Sequence, residues 1–191
     1  MVSTAVTTQE ELNKILSAGS QSVMDIYQRF RKQFPGQRMK EVGLTDVFMM
    51  VAQENSPTGV KFELRYDENQ TGCDFQVTFN GDCQVFFQAK VAKKQGNNTY
   101  ANFLYESKRD DLPDYQNVLL AEYAKKNKTA AYYIIYDEKE VSWVNAIVLQ
   151  NWILKTGNLP REETQVCIAA FKALARTSYI DALNDLGLAK F

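Results

Sequence analysis

Cys83-Gln-Val-Phe-Phe-Gln-Ala-Lys-Val91 is an apolar run with a glutamine and a lysine two places apart near its end. Read as a strand, it places Cys83, Val85, Phe87, Ala89 and Val91 on one face and Gln84, Phe86, Gln88 and Lys90 on the other. The preceding run, Cys73-Asp-Phe-Gln-Val-Thr-Phe79, alternates in the same way. Cys73, Phe75, Val77 and Phe79 share one face, and Asp74, Gln76 and Thr78 share the other. Asn80-Gly81 between the two runs is a strong hairpin signal. Slipping such a hairpin by one residue would expose its apolar set, so odd positions pair with odd and even with even. A three-residue connection then sets Asp74 opposite Phe86 or Gln88. Asp74, Gln88 and Lys90 fall on one face, close enough to reach a common point, within about 8 Å of one another at Cβ. Cys73 and Cys83 read as small core residues and not as a disulfide pair.

Working outward, Val60 to Tyr66 alternates as a first strand of the same meander. Upstream the periodicity is helical: a segment opening at Thr8, a second from Ser20 to Phe34, and a third from about Met39 to Asn55. Downstream, the polar stretch Lys93 to Asp114 reads as a long loop, of a kind that often carries function. A helix from Asp114 to Asn127 leads into Ala130-Ala-Tyr-Tyr-Ile-Ile-Tyr136, the continuous apolar pattern of a strand buried on both faces. Strand, helix and buried strand together suggest a crossover with parallel pairing. Residues 142–149 read as a strand, although 142–155 also accommodates a helix. Pro160 suits the first turn of a helix from Arg161 to Arg176, with a short helix to Leu186 after it. The expectation is an α/β protein with a mixed sheet flanked by helices, in a single domain spanning residues 1–191. Within it, 1–37 is a helical N-terminal extension, 38–150 the core and 151–191 a set of C-terminal helices.

Composition narrows the chemistry. The chain of 191 residues has 45% hydrophobic and 24% charged residues, an ordinary globular balance, and a formal net charge of -1. With a pI of about 5.6, any nucleic-acid contact must come from a local basic patch. No apolar run is long enough to span a membrane, the N-terminus lacks the pattern of a signal peptide, and three unclustered cysteines suit a reducing cytoplasm. There is no histidine at all, which removes serine–histidine and cysteine–histidine catalysis and imidazole zinc sites. No phosphate-binding glycine loop is present either. Catalysis here has to use carboxylates, amides and lysines, with or without a hard metal ion.

Taken singly, the polar residues have plainer readings. Asp74 follows Thr-Gly as a turn residue would, Gln88 and Lys90 suit a solvated strand face, and Glu41 suits a helix N-terminus. Taken together, Asp74 followed by Gln88-Ala89-Lys90 on the next strand resembles the signature of the PD-(D/E)XK, restriction-endonuclease-like nucleases, in its D…QxK variant. The helix-strand-strand-strand-helix-strand order from Met39 to Tyr136 is similar to that superfamily's core, and Glu41 matches its helix-borne acid.

The resemblance implies a restriction-endonuclease-like fold and a metal-dependent nuclease that cleaves phosphodiester bonds, in DNA ahead of RNA. A restriction, phage-defence or mobile-element system is the setting it suggests. It implies Asp74, Gln88, Lys90 and Glu41 as catalytic residues, and Asp74, Gln88 and Glu41 as ligands of Mg²⁺ or Mn²⁺. Lys93, Lys94, Gln116 and Tyr100 are the expected nucleic-acid contacts, with Lys108, Arg109, Tyr115, Tyr123, Phe103 and Tyr105 as weaker candidates. A homodimer or a larger defence complex is compatible with this; a membrane partner is not expected. The chain departs from the commoner pattern with Gly72-Cys73 before the aspartate and a glutamine in place of the second carboxylate. That loss of charge calls for compensation by Glu41, Glu63 or Glu68. The competing class is a catalytically inactive protein of the same fold that binds another protein as an inhibitor, immunity or assembly module.

Overall fold

In a computed structural model, residues 9–81, 83–95, 97–103, 116–156 and 165–167 are described. Two helices come first, α1 (Gln9–Gln33) and α2 (Glu41–Glu54). Helix α1 runs unbroken through the point where the sequence suggests two segments, at Gly19-Ser20. The glycine there serves close packing instead of a break: a Cβ on Gly19 would stand 2.8 Å from the ring of Phe48 in α2. Asn55 and Ser56 close α2 by donating side-chain hydrogen bonds to the carbonyls of Val51 and Ala52.

The meander follows as β1 (Val60–Leu64), a one-turn helix α3 (Glu68–Thr71), β2 (Phe75–Phe79) and β3 (Cys83–Val91). Phe79 pairs with Cys83, so three residues connect β2 to β3, and Asn80 and Gly81 adopt the left-handed φ of +51° and +83° that this connection needs. The odd–odd, even–even register holds throughout, with Phe75 opposite Phe87 and Gln76 opposite Phe86. The long polar stretch begins as a hairpin, β4 (Lys93–Gln95) and β5 (Asn98–Asn102). Then come α4 (Gln116–Asn127), β6 (Ala130–Tyr136), β7 (Val141–Asn145), α5 (Ala146–Thr156) and β8 (Gln165–Cys167). The ambiguous 142–155 segment is both things in turn, a short strand and then a helix, and Asn145 Oδ1 caps the change by accepting from the N–H groups of Ile147 and Val148. Gln165–Cys167 is a strand paired with β5, where the sequence suggests a helix over 161–176. A partner strand outweighs a helical pattern that begins at Pro160. The expected cap at Asp114 and the helix to Leu186 lie outside the described residues.

The result is an α/β arrangement with a mixed five-stranded sheet in the order β1-β2-β3-β6-β7. Only β3 and β6 run parallel. A smaller sheet, β4-β5-β8, stands beside it. One face of the large sheet, with Val85, Phe87 and Ala89 of β3, packs on Leu44 and Phe48 of α2 and on Ile15, Val23 and Tyr27 of α1. The other face packs Phe86 on Leu120 and Ala124 of α4 and on Leu149 and Ile153 of α5. The central strand is therefore buried on both sides, and its polar pair does not face open solvent: Gln88 is 0% exposed and the Lys90 side chain 11%. At the sheet's edge, Gln53 of α2 donates to the carbonyl of Val60 and accepts from the N–H of Phe62, satisfying backbone groups of β1 that have no strand partner. Among the described residues, no helix is long and apolar enough to cross a membrane.

Alternation fails at one place. Cys73 packs with Phe86 on the α4 side, whereas Phe75 and Val77 pack on the α2 side, so Cys73 does not share their face. Gly72 causes this by ending α3 at φ +67° and bending the chain before β2 begins. A Cβ at Gly72 would lie 2.7 Å from the carbonyl oxygen of Gln116 and 3.0 Å from the nitrogen of Leu120. Gly72→Ala is expected to cost about 1–2 kcal/mol in backbone strain, with about 1–3 kcal/mol more from crowding the start of α4. A lowered urea midpoint with an unchanged slope is the signature to look for.

Candidate functional site

The site forms where the end of β3 meets the N-termini of α2 and α4. Glu41 opens α2, where a carboxylate is favoured by the helix dipole. Its Oε2 accepts a hydrogen bond from the N–H of Val91 at 3.1 Å. Asp74 stands just ahead of β2; its N–H donates to the carbonyl of Phe87 and its own carbonyl accepts from the N–H of Arg65. Asp74 Oδ2 accepts from the N–H of Ala89 at 2.6 Å. Two carboxylates are thus pinned to β3 on the residues either side of Lys90. The Lys90 ammonium lies 3.9 Å from Glu41 Oε1 and donates to Gln116 Oε1 at 3.1 Å. Gln116, the first residue of α4, donates in turn from Nε2 to Glu68 Oε1 at 2.5 Å. This donor and acceptor pattern fixes the orientation of the Gln116 amide.

Glu41, Glu68, Lys90, Val91, Lys93, Asn102 and Gln116 enclose a cleft of about 410 Å³. Burial pushes the Asp74 carboxyl up to about 7; Glu68 and Glu41 add to the rise, and Lys90 and the Ala89 N–H oppose it. Burial also raises Glu41, against the pull of Lys90 and of the Val91 N–H. Negative charge is in surplus here, with the three acids Glu41, Glu68 and Asp74 facing the largely covered Lys90 and the exposed Lys93.

The expected residues are distributed unevenly. Glu41 and Lys90 line the main cleft, and Asp74 lines an adjoining one that also includes Glu41 and Glu68. Gln88 lines neither; it is fully buried, and both its amide oxygen and nitrogen lack a protein partner. Gln116 and Lys93, two of the expected nucleic-acid contacts, are in the cleft wall. Lys94 instead pairs with Glu138, 3.0 Å away, which also pairs with Arg31 of α1. Tyr100 lies opposite Lys93 in the β4–β5 ladder, outside both cleft walls. Phe103 is fully buried edge-to-face on Tyr133, and Tyr123 packs on Phe86, so these two rings build the core and do not present themselves for stacking. Lys108, Arg109, Tyr105 and Tyr115 lie outside the described residues.

Glu68 is the residue least visible in the sequence. It was one of three acids that could replace the missing carboxylate. Glu63 is excluded by its bonds to Lys61 and Gln76. Glu68 borders both clefts, and α3 holds it there. The clue available in advance was its place in Tyr66-Asp-Glu-Asn-Gln-Thr-Gly72, a helical turn stopped by glycine just before Asp74.

The donors are oxygen-rich and carry surplus negative charge. That set fits a hard divalent cation such as Mg²⁺ or Mn²⁺. Among the described residues, no three acidic or thiol side chains are gathered tightly enough to hold an ion as they stand. Asp74 and Glu41 each use one carboxylate oxygen on a backbone N–H, which leaves Asp74 Oδ1 and Glu41 Oε1 as the oxygens to offer a cation.

Fold and site together define an α/β protein with a carboxylate-and-lysine cleft at the end of its central strand. The chain belongs to DUF6615, a family of unknown function, which matches residues 12–175. No curated protein matches it.

Proposed function

We propose that this protein is a metal-dependent nuclease of the restriction-endonuclease-like type, hydrolysing phosphodiester bonds in DNA or RNA. The observation that carries the reading is the pair of carboxylates, Asp74 and Glu41, held on the two backbone N–H groups that flank Lys90. The order α2-β1-β2-β3-α4-β6, interrupted by the one-turn α3 and the β4–β5 hairpin, supports it, being the order expected of such a core. Asp74, Glu41 and Glu68, with Gln88 as the further ligand that the resemblance implies, would hold Mg²⁺ or Mn²⁺. When bound, the ion supplies positive charge at the phosphate and makes water a nucleophile near neutral pH. Lys90, steadied by Gln116, is placed to donate to a phosphate oxygen as negative charge builds up on it. Lys93, exposed at the cleft mouth, gives an incoming strand a phosphate contact. The protein's setting in this reading is a reducing cytoplasm, in a restriction or phage-defence system.

Labelled duplex DNA, single-stranded DNA and RNA incubated with Mg²⁺ or Mn²⁺ test the proposal. Wild type is expected to cleave at least one of them, and Asp74→Ala and Lys90→Ala to lose about 100-fold or more in rate. Identical behaviour of wild type and both variants on every substrate would show the reading to be wrong. The cleft would then belong to a protein-binding module on the same fold.

A further inference from the structure

The acids divide two clefts of opposite character. The first, described above, carries Lys90, Lys93, Asn102 and Gln116. The second, of about 280 Å³, shares Glu41 and Glu68 with it and is walled by Val42, Leu64 and Tyr66. These three are among the most exposed large apolar side chains described, at 69%, 42% and 93%. Arg65 is the cation among its described lining residues, and it is engaged: it forks onto Asp67, with Nε 2.8 Å from Oδ1, and its Nη1 donates to Gln76. The remaining charges on that wall are the carboxylates of Glu41, Asp46, Glu68 and Asp74.

A phosphate is therefore repelled more strongly on this side than on the other, where Lys90 and Lys93 offset the same two acids. An uncharged, flat group with amino donors at its edge suits an aromatic and aliphatic floor rimmed by carboxylates. We infer that the second cleft is a nucleobase site, in which an unpaired base stacks on Tyr66 while its own phosphate lies toward Lys90 and Lys93. The inference rests on the nuclease reading and specifies its substrate as a single strand or an unpaired end. A base inside a duplex shows no free face to Tyr66 and would have to leave its stack to reach it.

The affinity of the full chain for a short fluorescein-labelled single-stranded oligonucleotide, and for the duplex of the same sequence, is measured by anisotropy with Ca²⁺ in place of Mg²⁺. Wild type is expected to prefer the single strand. Tyr66→Ala should weaken single-strand binding by about 5- to 150-fold, the range of one base–aromatic stack, and leave duplex binding unchanged. Tyr66→Phe should bind as wild type does, because the ring and not the hydroxyl is used. An absent single-strand preference, an equal loss on both probes, or no loss at all would overturn the inference. Cleavage assays keep the two readings apart. Lys90-dependent cleavage of a duplex, with no Tyr66 effect on single strands, removes the base site and leaves the nuclease. Tyr66-dependent binding of single strands without metal-dependent cleavage removes the nuclease and leaves the base site.

Discussion

Asp74→Asn stabilises the metal-free protein at about pH 8 and leaves its stability unchanged below about pH 3. The sign follows from the direction of the shift. Burial holds the Asp74 carboxyl at about 7 in the folded protein, against an ordinary value of 3.8. Between those values the folded state keeps a proton that the unfolded chain has released. Stability therefore falls as pH rises from about 4 to 7, and levels off above that. At about 1.4 kcal/mol per unit, the shift corresponds to roughly 4 kcal/mol at most. Asparagine offers an oxygen to the Ala89 N–H without the buried charge, so the variant escapes this loss. Glu41 shifts in the same direction and continues to titrate in the variant, which leaves a residual slope of the same sign. Urea unfolding of both proteins from pH 3 to 8 measures the difference, and a constant gap at every pH would contradict the account. On the proposed function, adding Mg²⁺ at pH 8 stabilises wild type and not Asp74→Asn, because only the former gains a ligand that binds its folded state.

Phe48→Ala is expected to cost about 3–5 kcal/mol, the range for emptying a buried aromatic position. Phe48 is 0% exposed and sits where helix layer and sheet meet. Its ring centroid lies 5.9 Å from that of Phe75, 6.5 Å from Phe62, and 6.3 Å from both Tyr136 and Trp143. It therefore touches β1, β2, β6 and β7 at once, and α1 closes over it at Gly19. Collapse into the space is hindered because the surrounding rings are rigid and held by different elements. Phe48→Leu keeps most of the volume and should lose about half as much or less. Equal losses for the two variants would mean that ring packing at this position contributes little.

The hairpin was legible because its information is local. Alternation in 75–79 and 83–91 and the Asn80-Gly81 turn are enough to specify which residues face each other, and the observed register agrees with them. The order of the longer elements from α2 to β6 was legible for a related reason, since helical and strand periods differ and each is long enough to show its own. The one-turn α3 and the short β4–β5 hairpin, the latter in a stretch read as a loop, were too short to do so. Glu41, Asp74 and Lys90 could be nominated from that order and a spacing. Gln88 could be nominated too, but its orphaned burial could not be foreseen, because alternation specifies a face without saying what covers it.

What the sequence determined by itself is the strand that carries the lysine, its pairing partner and the absence of any histidine chemistry. The tertiary structure alone decided that α4 and α5 cover the polar face of β3, turning a strand that looked half-solvated into one buried on both sides. It also decided that Gln116 and Glu68, 48 residues apart, meet beside Lys90. Both outcomes depend on the crossover from β3 to β6 and on the bend at Gly72. Contacts between distant segments come from the packing of whole elements, which leaves no periodic trace in the residues that make them.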